Sequence, residues 1–69
     1  MKNIDVRNYI INNFKDDDIE DIEKSIVESI DSKDEDPLIG LGVLFELMWN
    51  NSDNVLRNSI LLNIKKGLN

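Results

Sequence analysis

The sequence predicts an all-α fold: a compact small bundle of about four short helices, with the third at its centre. Three observations carry this. Apolar residues recur at helical spacing in three separate segments. A fourth stretch, Leu38 to Trp49, is apolar or Gly at every position except Glu46. A helix that is hydrophobic nearly all round is normally surrounded by others. The connectors between these segments are short and polar, which brings neighbouring helices together. The expected helices span about 3–14, 18–31, 37–50 and 53–66, in one domain covering 1–69.

The first helix rests on Val6, Ile10 and Phe14, at i, i+4, i+8, with Ile11 widening the stripe. Asn3 or Asp5 is placed to cap it. Asn8, Asn12 and Asn13 lower its intrinsic propensity, so packing must hold it. Arg7 and Tyr9 fall off the main stripe; Tyr9 reads as a partly buried ring with a wet hydroxyl.

Asp17 or Asp18 suits the N-cap of the second helix. Ile19, Ile22, Ile26 and Ile30 then form a clean stripe, with Val27 beside it. Glu20, Asp21 and Glu23 sit where the helix dipole favours negative charge. Glu20 and Lys24 have the spacing of an i, i+4 ion pair. The acids after Ile30 disfavour continuation, so the helix should end near Ser32.

The third helix has Pro37 at its first position, where a missing N–H is harmless, and Asp36 as the expected N-cap. Gly42, Glu46 and Asn50 make its one polar stripe. Gly40 and Gly42 each cost roughly 1 kcal/mol against Ala; close approach of another helix would offset that. Phe45, Met48 and Trp49 are the candidate interaction residues, with Trp49 a core or rim anchor and a candidate partner hot spot.

Ser52 is the expected cap of the fourth helix. Leu56, Ile60 and Ile64 make its stripe, joined by Leu61, with Val55 and Leu62 flanking. Lys65 and Lys66 suit the C-terminal dipole, and Gly67 suits a left-handed stop with Leu68 folding back.

Size and charge bound the function. The chain has 69 residues, without Cys or His. A domain this small buries only about 60% of its unfolded surface. Disulfides and the common zinc site are excluded, leaving helix packing or oligomerisation as the staple. The net charge is −6 and uneven. Lys15 to Asp36 holds eleven acids against three bases, net −8, and the rest is net +2. No basic stripe offers phosphate neutralisation, so neither nucleic acid nor an anionic membrane is an expected partner. The apolar run is shorter than the roughly 20 residues of a membrane span. The N-terminus lacks the apolar region of a signal peptide, so a soluble protein retained where it is made is expected.

No pattern in the chain carries catalysis. An EF-hand loop starting at Asp31 needs Gly at its sixth position and Glu at its twelfth. Those positions hold Asp36 and Gly42, so the acid cluster reads as a solvated loop. The G-L-G of Gly40 to Gly42 is no phosphate loop: it lacks the preceding strand, the longer Gly pattern and the Lys. Glu46 has no His, second carboxylate or nucleophile placed with it, and reads as a solvent-facing or cap-bonded acid. No cofactor, metal or small-molecule substrate is implied.

The run Gly40-Leu41-Gly42-Val43-Leu44-Phe45-Glu46, followed by Trp49, resembles the middle block of the small acid-soluble spore protein I family. The likeness extends to Arg7 before an aliphatic stretch ending at Asn12 and Asn13. Ser25-Ile26-Val27-Glu28-Ser29-Ile30 and the closing Gly67-Leu68 are similar to family features too, so nearly the whole chain is covered. One departure bears on where the third helix starts. The family commonly has Pro directly before the Gly of G-L-G-V, whereas Ile39 stands there and Pro lies at 37.

The resemblance implies a non-enzymatic minor spore protein of endospore-forming Firmicutes. It would be made in the forespore, reside in the spore core and belong to spore formation. It implies no catalytic or binding residues. It is distinct from the DNA-saturating spore proteins, whose sequence pattern differs. The competing expectation is an acidic helical interaction module, homodimeric through the 38–49 helix.

Overall fold

The computed structural model describes residues 5–69. The chain folds into four helices and, among the described residues, no strand: α1 (Val6–Phe14), α2 (Ile19–Asp31), α3 (Pro37–Asn50) and α4 (Asn54–Leu68). The all-α expectation holds, and α3 is central, packing on both α1 and α2.

Side-chain caps fix three of the four starts. Asp5 accepts from the Asn8 backbone N–H at 3.1 Å, and the Asn8 side-chain amide donates to the same carboxylate at 2.7 Å. Asn8, a poor helix former, is thereby used in the cap. The alternative cap, Asn3, lies outside the described residues. Asp18 takes the Asp21 N–H at 3.0 Å. Asp53 takes the Leu56 N–H at 2.9 Å.

Two cap expectations are corrected. Ser52 does not cap α4; its hydroxyl donates to the Met48 carbonyl at 2.6 Å and closes the end of α3 instead. Asp36 makes no side-chain cap bond, because its own backbone is already helical, with φ −56° and ψ −43°. Pro37 does stand in the first turn of α3 as expected. Helix α2 ends where the acids predicted: Ser32 is extended, with its N–H on the Glu28 carbonyl.

The end of α4 differs from expectation. Helical structure runs through Gly67 to Leu68, and no glycine has positive φ. Leu68 is 77% exposed, so it does not fold back. With no apolar neighbour for Leu68 to meet, a Schellman-type ending has nothing to stabilise it. The Glu20–Lys24 spacing closes into no ion pair; among the described residues the pair within 4.0 Å is Arg7–Glu46.

The core is small and sits on α3. Among the described residues Val43 is the buried one, and the half-buried apolar residues are Ile10, Ile11 and Phe14 of α1, Ile22 and Ile26 of α2, Leu41, Leu44 and Trp49 of α3, and Ile60 of α4. The isoleucine stripe of α2 is therefore used only at its middle: Ile19 and Ile30 are exposed. Tyr9 is exposed as well, against the expectation of partial burial. The glycines of α3 meet no neighbouring helix. A Cβ built at Gly40 or Gly42 has nothing within 4 Å. The close approach expected to offset their helix cost is absent within the chain.

Candidate interaction surface

Two linked features organise the surface around α3. The first is an ion pair between α1 and α3. Arg7 Nε donates to Glu46 Oε1 at 2.7 Å, and its Nη2 donates to Oε2 at 2.8 Å. This is a fork-on-fork contact, the geometry in which guanidinium and carboxylate match best. The hydrogen bonds from Arg7 hold the Glu46 carboxyl below its ordinary range, against a smaller opposing push from burial. Glu46 in turn raises the Arg7 value, so that both groups stay charged.

Glu46 was expected to face solvent or bond to a cap; its side chain is 45% exposed, as expected, but its partner is Arg7 of α1 and not a cap. The sequence did hold a signal. Glu46 is the one acid in an apolar helix, and Arg7 is a base set off the apolar stripe of α1. Each interrupts its own helix on the side facing the other.

The second feature is a three-part stack on the α4 side. The rings of Phe45 and Trp49, one helical turn apart, lie 6.0 Å between centroids at 21°. Arg57 covers the Trp49 ring, with Cζ 5.1 Å from its centroid, and donates from Nε to the Trp49 carbonyl at 3.0 Å. A cation over an aromatic face gains from the ring quadrupole. Trp49 is half-buried by this arrangement and ties the first turns of α4 to the end of α3.

The three candidate residues divide between two grooves. Phe45 and Trp49 line an open groove of about 510 Å³ with Arg7, Glu46, Asn50 and Leu61. Met48 lines a second, apolar groove of about 310 Å³ between α2 and α3, with Ile22, Ile26, Leu41, Leu44 and again Phe45. Phe45 is thus shared by both, 39% exposed, and Met48 is 43% exposed.

Among the described residues no cluster of carboxylates is placed to hold a metal ion. The one acid in the groove is consumed by its arginine. Among the described residues no helix is long and apolar enough to cross a membrane. Fold and surface together define a class: a small acidic helical protein whose exposed features are apolar and aromatic.

Comparison with known proteins gives the particular family. The profile described as "Small, acid-soluble spore protein I" matches residues 4–68. A protein of that name from Shouchella clausii is 38% identical over 64 residues, spanning 93% of each chain. Its counterpart in Bacillus cytotoxicus is 35% identical over 66 residues, 96% of this chain and 94% of the relative. That of Bacillus subtilis is 35% identical over 65 residues, 94% and 92% of the two chains. The chain belongs to the small, acid-soluble spore protein I family, a family of spore proteins. No solved structure matches.

Proposed function

We propose that this chain is a non-enzymatic minor component of the spore core, made in the forespore during spore formation. What supports the reading is the family match across nearly the whole chain, at relatives of the same length. Among the described residues no acid, base and nucleophile converge for catalysis, and the one paired acid is fixed by Arg7. Duplex coating is a poor alternative, since a chain of net −6 is repelled by phosphate. The test is fractionation. Purified, decoated spores are extracted with acid and probed with an antibody, beside mother-cell and vegetative lysates. The proposal expects signal in the core extract alone. Signal in the coat or mother-cell fraction would contradict it.

A second reading, compatible with the first, is a protein–protein module acting through residues 38–49. It is favoured by the exposure of Leu38, Ile39, Phe45, Leu47 and Met48 on one short helix. Large apolar side chains left exposed on a helix that neighbours only partly cover are the raw material of an interaction surface.

A further inference from the structure

We propose that the open face formed by α3 and α4 is filled by a second copy of this chain, in a two-fold dimer whose α3 helices cross near Gly42. The inference rests on the second reading above and gives it a partner and a contact point.

Surface area supplies the first argument. The chain exposes 6058 Å². A compact monomer of 8.0 kDa exposes about 4,450 Å², leaving about 1,600 Å² in excess. A standard dimer interface removes about 800 Å² from each partner, so the excess accommodates one. The α3–α4 face exposes apolar side chains: Leu38 and Ile39 at the start of α3, and Leu61, Ile64 and Leu68 along α4. Helix α4 is tied to α3 at its first turns by Arg57 and Trp49, and its last residues stand clear.

Charge selects the partner and the face. A chain of net −6 repels its own copies, but the acid is concentrated in Lys15 to Asp36, net −8. Residues 37–69 carry Glu46 and Asp53 against Arg57, Lys65 and Lys66, net +1, and Glu46 is already neutralised by Arg7. The α3–α4 face therefore lies outside the acidic stretch, and two copies meeting there repel each other less than they would across α2. A two-fold axis lets the same patch serve both subunits. At Gly42 a helix backbone finds no Cβ in its way and open space above it.

The test is sedimentation velocity on the full chain from low to high micromolar concentration, at low and physiological salt. A monomer–dimer equilibrium is expected, and it tightens with salt because screening weakens the net repulsion. Gly42→Leu should weaken dimerisation by about tenfold or more, since the added side chain overpacks the crossing. It should leave helix content by circular dichroism unchanged, because a Cβ at Gly42 meets nothing within 4 Å inside one chain and Leu is a better helix former than Gly. Gly42→Ala serves as a second variant that reinforces the helix while adding one carbon, with a smaller loss expected. A strict monomer at all concentrations overturns both the inference and the homodimer. A dimer that survives Gly42→Leu but dissociates in Met48→Glu overturns the Gly42 crossing alone and leaves the 38–49 reading in place.

Discussion

Arg7 and Glu46, 39 residues apart, are joined by two parallel hydrogen bonds of 2.7 and 2.8 Å that tie α1 to the middle of α3. Helix α1 has only nine residues, too few to persist alone in water. Its position is set by its contact with α3, and the fork fixes the rotation at which that contact is made. The pair is largely solvated, with side chains 68% and 45% exposed, so its role is orientation more than stability.

The pair makes stability depend on acid. The folded Glu46 value is depressed by the Arg7 hydrogen bonds. The stabilisation it lends is therefore present above the ordinary carboxylate range and lost as pH falls through the folded value. Glu46→Gln should lower the melting temperature at neutral pH and converge with wild type in strong acid. Arg7→Lys should behave similarly, since an ammonium keeps the charge but not the fork. Thermal melts from neutral to acid pH check both.

Gly42→Ala should stabilise the dilute monomer by about 1 kcal/mol. The helix propensity gained meets no clash, because nothing lies within 4 Å of the new carbon. Gly40→Ala should act in the same direction. Urea unfolding at low protein concentration measures both.

Capping gives a sharper comparison. Asp18→Ala and Asp53→Ala should each cost about 1 kcal/mol, as each removes an acceptor from a helix N-terminus. Asp36→Ala should be nearly neutral, because Asp36 accepts no cap bond. Equal losses at all three positions, read by denaturant midpoints, would contradict the caps as placed.

The core is narrow enough to be tested at one residue. Val43→Ala removes two buried methyl groups and should cost about 1.5 kcal/mol. Ile19→Ala, at a position 83% exposed, should fall within about 0.5 kcal/mol of wild type.

Helix positions were legible in the sequence because apolar spacing and capping residues are local signals. The stripe of α2, the stop at Ser32 and the start at Pro37 needed no tertiary information. What escaped depends on the surroundings. Ser52 and Asp53 are both good caps, and what separates them is tertiary: Ser52 bonds a carbonyl of the preceding helix while Asp53 takes the N–H of the next. Gly67 reads as a stop only if Leu68 has an apolar surface to return to. Phe45, Met48 and Trp49 were picked out as anchors by size, but their division between two grooves follows from the α2 and α4 positions. The polar stripe through Glu46 was visible, while its partner was not, since nothing local relates Arg7 to a residue 39 positions on.

Native-state hydrogen exchange of the dilute chain tests most directly the claim that α3 is the scaffold on which the other helices rest. Amides of α3 around Val43 should exchange slowest, those of α1 and α2 faster, and those of the last turns of α4 fastest. Fast exchange in α3, or its last-turn α4 amides protected as strongly as Val43, would contradict that claim.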